Sequence, residues 1–339
     1  MGGCSKKGQS PASTANDIVS FSILPGKDST SLAPYAHYIT VYVPNTVTSG
    51  SSLAATFTLS PGASATVGGV AQVSGATKND FNQTQTYLVT AADHSFQQSW
   101  TVQATNNNYS IDWGLGHFAN DPVSHDRSYE WYIDQGTSGT FALLNCGPAS
   151  VTMAMKWSDS TFSKTALDAR QTYESGGGWW YTYDIDNYLK SYSIPHVIIP
   201  LSADATATMQ TLKQQLDANQ IVILCLDMNY VRAAGSSDYR VDKFYPTTPG
   251  WGHFIVLKGY QVVDGNPYFE AYDPYSIGQT NSDNTLKGKN RFYRPGDLAA
   301  ATLPWWNYAF VITKKGQPVS QSAVQKAVNP ATIRHAHSL

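Results

Sequence analysis

The spacing of apolar residues divides this chain into two parts of different fold class. From about residue 16 to residue 105, apolar residues alternate with polar ones in short runs, and Pro, Gly and Asn separate the runs. No helical spacing lies between these runs, so residues 16–105 are predicted to form an antiparallel β-sandwich. Helical and strand patterns mix after residue 127, which predicts a second domain over residues 128–315 with residues 106–127 as the connector.

Alternation also assigns side chains of the sandwich to faces. Val19, Phe21 and Ile23 are predicted to share one face of the first strand, because side chains two residues apart point the same way. The pairs Tyr87 with Val89, and Trp100 with Val102, are predicted to close the series. No group of catalytic residue types occurs in this part, which favours a spacer or an adhesive module.

Composition restricts where the protein works and what it binds. A length of 339 residues allows two domains, each with a core of its own. The formal charge of -2 provides no basic surface, so no nucleic acid partner is expected. Only 14% of the residues are charged, and Ser, Thr, Asn, Gln and Tyr replace them, which favours an exported protein. No run of eighteen apolar residues is present to span a membrane.

The three cysteines exclude two kinds of stabilisation. Cys4, Cys146 and Cys225 are too few for a disulfide framework, and their spacing fits no zinc site, so no metal or other cofactor is expected. The Gly-Cys pair at Cys4 resembles the lipidation site of a bacterial lipoprotein. On that basis residues 1–15 form a flexible tether, and a lipid on Cys4 anchors the protein to a membrane at the cell surface or in the periplasm. Chance occurrence of so short a motif is the alternative.

One cysteine lies where a reactive thiol is expected. The stretch 145–150 reads Asn-Cys-Gly-Pro-Ala-Ser and runs into an apolar segment, so Cys146 is predicted at the first turn of a buried helix. The helix dipole favours a thiolate there, and backbone N–H groups without intrahelical acceptors can hold an oxyanion. The other interpretation is an ordinary buried cysteine, which is the one we adopt for Cys225.

Further patterns outline the second domain. Helices are predicted over 163–173, over 184–192 and around Met209, Leu212 and Leu216. Strands are predicted over 197–200, 290–293 and 308–312, and the continuous apolar run 221–226 is typical of a strand buried on both faces. Residues 316–339 are predicted to be a polar tail.

A histidine and an aspartate mark the open end of one predicted hairpin. His253 enters the first strand, Asp273 ends the second, and Asp264-Gly265 is a strong turn signal between them. A two-residue turn with regular pairing would put His253 and Asp273 on opposite faces. A three-residue turn would restore a common face but leave the two residues staggered, so we predict an additional bulge that brings them together.

These motifs resemble those of papain-like cysteine peptidases of the bacteriocin-leader-processing, double-glycine peptidase-like group. The residues that carry the resemblance are Asn145 to Ala149, Gly252 to Leu257 and Tyr272 to Pro274, in the order Cys, His, Asp. The resemblance implies an α+β papain-like domain that hydrolyses peptides through an acyl-enzyme. Cys146 would be the nucleophile, His253 the general base and acid, and Asp273 the residue that orients the imidazole. It also implies an upstream glutamine as oxyanion donor, for which Gln135 is the candidate.

The first domain carries a second resemblance. Residues 73–81 and 87–93 are similar to immunoglobulin-like modules of bacterial surface lipoproteins, which implies an all-β immunoglobulin-like sandwich. The expected partner of the whole protein is a peptide or protein substrate. Trp179, Trp180 and Trp251 are the candidate substrate-binding residues, with core packing as the alternative for at least one of the rings. An amidase or acyltransferase on the same scaffold stays open, and the rival function is an inert surface protein that binds peptide or glycan.

Overall fold

A computed structural model describes residues 12–107, 111–120 and 122–337. Cys4 lies outside the described residues. The chain forms two compact units. The first contains the described residues up to 111 together with 116–120, and the second contains 112–115 and 122–337. Within the described part of the chain, no helix is long and apolar enough to cross a membrane.

The first unit is a β domain. Its six-stranded sheet has the order β2-β3-β10-β9-β6-β7, and β1 with β5 and β4 with β8 form two further pairs. Strands β3 and β10 run parallel, so the prediction of a wholly antiparallel arrangement is wrong. The strands are β1 (Ile18–Ser22), β2 (Ser29–Ala33), β3 (Tyr38–Tyr42), β4 (Leu53–Ala54), β5 (Thr56–Leu59), β6 (Ser64–Val67), β7 (Val70–Ala71), β8 (Lys78–Asn79), β9 (Gln85–Thr90) and β10 (Gln97–Thr105).

The core of the first unit follows the predicted alternation except at one residue. Phe21, Val89 and Trp100 are buried, as expected. Val19 is 61% exposed, and Ile18 is buried in its place. The pairing of β1 with β5 shifts between Ile18 and Ser20, and this irregularity turns Val19 outward.

The second unit is one sheet with helices on both faces. Its strands are β11 (Val123–Ser124), β12 (His196–Pro200), β13 (Ile221–Asp227), β14 (Gly252–Val263), β15 (Asn266–Tyr272), β16 (Arg291–Tyr293) and β17 (Tyr308–Ile312). Their order is β12-β17-β13-β14-β15-β16, with β11 paired to β14. Its helices are α1 (Cys146–Ser158), α2 (Ala166–Thr172), α3 (Thr182–Ser191), α4 (Ala205–Asp217), α5 (Pro295–Thr302) and α6 (Gln321–Lys326).

Two hydrophobic clusters cover the two faces of this sheet. The first joins α1 and α3 to the sheet, with Met153 and Ile185 packed near Cys225. The second joins α4 and α5 to the opposite face through Leu212 and Leu298. Every residue of β13 is buried, which confirms the prediction of a strand covered on both faces and of Cys225 as a core residue.

The prediction that residues 316–339 are a polar tail is wrong. Ala323 of α6 is fully buried in the second cluster, and Ile333 is buried in the first. A bridge between Tyr181 and His337 holds the segment that follows α6 against the second unit. The apolar residues of this region are too sparse to show a helical or strand period, so its packing could not be predicted from the sequence.

The hairpin of β14 and β15 contains the bulge that the sequence predicts. Val263 pairs with Asn266 across a two-residue turn, so the three-residue turn is wrong. Asp264 and Gly265 both have positive φ, as a tight turn of this type requires. The register then shifts between Leu257 and Gly259, after which Val256 pairs with Tyr272. This single bulge replaces the longer turn and puts His253 and Asp273 on a common face.

Candidate active site

Cys146 is the first residue of α1. The helix begins there as the sequence predicts, and all but one of its thirteen residues are buried. Gly147 allows a close approach, because a Cβ at this position would lie 2.9 Å from the Cβ of Trp180. The cysteine therefore lies at the end of a rigid, enclosed helix, where first-turn N–H groups have no acceptor within the helix.

Asp273 and His253 form a buried pair. Nε2 of His253 lies 2.8 Å from Oδ1 of Asp273, and neither side chain is appreciably exposed. The second carboxylate oxygen accepts hydrogen bonds from the hydroxyls of Tyr245 at 2.9 Å and Tyr293 at 2.6 Å. The backbone N–H of Tyr275 donates to Oδ1 at 2.9 Å. Four donors thus fix the carboxylate in one orientation.

His253 also makes a hydrogen bond to Cys146. Because Nε2 faces Asp273, Nδ1 is the nitrogen left to face the thiol. Burial by itself would lower the pKa of His253, but the charges of Asp273 and Cys146 and hydrogen bonds to both raise it to about 10. Burial likewise would raise the pKa of Asp273, and the His253 charge together with its hydrogen bonds lowers it instead. This arrangement favours an imidazolium between two anions.

Gln135 is buried close to the loop that carries Asp273. Its backbone N–H donates to the carbonyl of Pro274 at 2.8 Å. Its Nε2 donates to the carbonyls of Ala142 and Leu143, at 2.9 and 3.2 Å, and Oε1 has no partner. In this conformation the side-chain amide binds the loop before Cys146, so both N–H groups would have to turn away from it to reach a substrate.

Arg170 is a residue that the sequence reasoning missed. It is fully buried on α2 and donates to Oδ1 of Asn145 at 2.7 Å and to the carbonyl of Leu144 at 2.7 Å. Its Nη1 donates to the carbonyls of Glu174 and Gly178. The guanidinium therefore joins the residues directly before the cysteine to the loop before Trp179. An arginine on the same helix face as buried alanines was the available signal.

Residues 132–296 match the model of the Peptidase_C39 like family. This range contains Gln135, Cys146, His253 and Asp273 and lies within the second unit. Residues 18–104 match a second model, described as SGBP, N-terminal. No curated protein matches the chain.

Three solved structures with provisional names are similar to parts of this chain. A C39-like peptidase from Bacillus anthracis is 12% identical and covers 58% of this chain and 100% of its own, with a TM-score of 0.34. A secreted protein from Bacteroides fragilis is 17% identical over 28% of this chain and 98% of its own, with a TM-score of 0.23. A glycoside hydrolase from Bacteroides thetaiotaomicron is 16% identical over 90% of both chains, with a TM-score of 0.23.

The three tryptophans predicted to bind substrate have different environments in the second unit. Trp180 is fully buried and donates through Nε1 to the carbonyl of Tyr173, so it is a core residue and the prediction is corrected. Trp251 is half-buried with its ring edge-to-face with Tyr275. Trp179 is 42% exposed, and its ring stacks on that of His337. Trp179 is therefore the ring of the three most open to an external ligand.

Proposed function

We propose that the second unit is a cysteine peptidase that hydrolyses peptide bonds through Cys146, His253 and Asp273. The observation that supports this most is the buried chain of hydrogen bonds from Asp273 through His253 to Cys146. A histidine protonated beside a cysteine stabilises the thiolate, which is the nucleophilic form. The match of residues 132–296 to the Peptidase_C39 like family is independent support.

The proposed reaction has two steps. The Cys146 thiolate attacks the carbonyl carbon of the peptide bond, and the first-turn N–H groups of α1 stabilise the oxyanion. His253 donates its proton to the departing amine, which leaves an acyl-enzyme on Cys146. His253 then takes a proton from a water molecule as this water attacks the thioester carbonyl, the peptide product leaves as a carboxylic acid, and the Cys146 thiolate is restored beside the protonated imidazole. Asp273 keeps the imidazole ring oriented and stabilises its charged form throughout.

A peptide-library digest tests this function. The wild-type protein, Cys146→Ala and His253→Ala are incubated with a peptide mixture, and new peptide ends are identified by mass spectrometry. Cys225→Ala is the matched control, because this thiol is also buried but lies in β13. We expect cleavage by the wild type and by Cys225→Ala and none by the other two variants. If no peptide is cleaved and Cys146 titrates like an ordinary thiol, an inert binding protein would be favoured instead.

We also propose that the protein acts outside the cytoplasm as a lipoprotein. The match of residues 18–104 to the SGBP, N-terminal model and the low charged fraction of 14% support this location. Labelling of cells that express the protein with an alkyne fatty acid tests the anchor. Label on the wild type and none on Cys4→Ser is expected, and label on neither would refute the anchor.

A further inference from the structure

Residues 335–337 lie in an extended conformation and pair with Tyr181 and Thr182 at the start of α3. Tyr181 and His337 form an antiparallel bridge. The backbone N–H of Thr182 donates to the carbonyl of Ala336 at 2.8 Å, and the N–H of Ala336 donates to the Thr182 hydroxyl at 3.3 Å. That hydroxyl is also 2.8 Å from Nδ1 of His335. This is how an added strand binds the edge of another segment, mainly through backbone groups.

The ring of His337 occupies a slot lined by aromatic residues. It stacks on Trp179 with ring centres 4.2 Å apart and planes 7° from parallel. Tyr181 and Trp305 each lie 5.4 Å away, centre to centre. Nε1 of Trp305 donates to the carbonyl of His337 at 3.1 Å, so the slot holds both the ring and the backbone.

The two walls of this slot adjoin the two reacting residues. On one side, Trp180 follows Trp179 directly and packs on Gly147, the residue after Cys146. On the other side, Gly252 precedes His253, and a Cβ at Gly252 would lie only 2.5 Å from the carbonyl oxygen of His337. The segment therefore contacts the residue next to His253 in β14 and the residue next to the ring that packs beside Cys146.

Burial of the reacting residues agrees with an occupied opening. Cys146 and His253 are each 1% exposed, although a peptide carbonyl must reach the sulfur for any acyl transfer. Gly252 lines the slot without a side chain, and Thr182 at the start of α3 offers a backbone donor and a hydroxyl acceptor at its border. Both features suit an extended peptide backbone.

From this geometry we infer that the slot between Trp179 and Gly252 is the site for an extended peptide with a ring side chain, and that residues 335–337 occupy it as a built-in competitor. The inference rests on the proposed function for its catalytic meaning. A substrate binds by displacing the segment, and its own imidazole or aromatic ring takes the place of the His337 ring against Trp179. The stacking surface selects the substrate, and the backbone bonds accept any sequence elsewhere.

The test is carried out on the full chain with three variants. His337→Ala removes the ring, His337→Phe keeps a ring of similar shape, and Gln325→Ala alters an exposed residue of α6 as the matched control. The rate of Cys146 alkylation by iodoacetamide is measured by peptide mass spectrometry. We expect His337→Ala to react up to about tenfold faster than the wild type, since a stacked ring pair stabilises closure by about that factor. His337→Phe and Gln325→Ala should react like the wild type.

A peptide added in trans tests the slot directly. The pentapeptide Ile-Arg-His-Ala-His, which corresponds to residues 333–337, should slow Cys146 alkylation in His337→Ala. The same peptide with alanine at its last position should protect much less. Equal alkylation of His337→Ala and wild type, or equal protection by both peptides, would overturn the inference.

The outcomes separate this inference from the proposed function. If Cys146 is not catalytic, its alkylation follows the pH dependence of an ordinary thiol in every variant, but His337→Ala still raises the alkylation rate above that of the wild type. If the peptidase proposal is right and the slot is wrong, cleavage and a low-pH thiolate are present while His337→Ala changes neither access nor activity.

Discussion

Replacing Asp273 by asparagine removes the buried charge and retains the shape of the side chain. An asparagine oxygen can still accept the hydrogen bond from Nε2 of His253, so the ring stays oriented. The substitution removes the electrostatic attraction between the Asp273 carboxylate and the His253 imidazolium. With charge centres about 4 Å apart and an effective dielectric constant of about 20, it amounts to about 4 kcal/mol, or about three pKa units on His253. The direction agrees with the raised pKa of His253, which is about 10 in the wild type.

A less stable imidazolium means less thiolate at Cys146 in weakly acidic solution. At pH 6 we expect Asp273→Asn to alkylate at Cys146 about 100 to 1,000 times more slowly than the wild type. The alkylation rate is followed from pH 4 to pH 10 by peptide mass spectrometry. Cys225 serves as the internal reference, because burial raises the pKa of its thiol well above the ordinary value. Asp283→Asn, at an exposed carboxylate, is the control variant.

One result would refute the electrostatic reasoning. If the wild type and Asp273→Asn gave superimposable pH profiles at Cys146, the carboxylate would not be what keeps His253 protonated. A profile shifted equally in Asp283→Asn would point to a general change in charge rather than to the buried pair.

Four further outcomes follow from the structure. If Gln135 donates to the oxyanion, Gln135→Ala should lower the rate of peptide cleavage about 100-fold and leave the rate of Cys146 alkylation within about twofold of the wild type. An equal loss of both rates would show that Gln135 only supports the structure of the loop before Cys146. Arg170→Met leaves the buried Oδ1 of Asn145 and three partly buried carbonyls without this donor, so urea unfolding of the second unit should show a loss of about 3 kcal/mol. Gly259→Ala places a Cβ 2.1 Å from a backbone oxygen of β11 and should destabilise the same unit by about 1–3 kcal/mol in the same assay. The pKa of His253 is raised from 6.5 to about 10, so its contribution to the free energy of unfolding is complete below pH 6.5 and is lost as the pH rises towards 10. The pKa of Asp273 is lowered, so its contribution is lost as the pH falls below about 3.8. In urea denaturation measured against pH, His253→Ala should therefore reduce the loss of stability between pH 6.5 and 10.

Local sequence patterns were sufficient to predict an element wherever that segment determines its own structure. The helix that begins at Cys146 and the strand Tyr308–Ile312 were predictable, because period and turn residues act over a few positions. Val19 shows the limit of that reasoning. Its alternation was regular in sequence, but pairing with another strand introduced a shift that turned it to solvent.

The candidate site shows the same division. Cysteine, histidine and aspartate could be selected from motifs, and the need for a bulge followed from the period of two in a strand. Beside the bulge, the backbone oxygen of Val123 in β11 leaves no space for a side chain at Gly259, a contact that no local pattern indicates. Tyr245 and Tyr293, which hold the second oxygen of Asp273, had no sequence signal among 21 tyrosines.

The sequence by itself thus determined a β domain followed by a domain of mixed helices and strands, the helix that begins at Cys146, and the choice of the three candidate reacting residues. Tertiary structure decided which donors surround Asp273, that Arg170 supports the loop before Cys146, and that Trp180 belongs to the core. It also decided that residues 335–337 lie beside Trp179. The physical reason is that periodicity reports which face of an element is buried, whereas the partners of a buried polar group come from segments far apart in the chain.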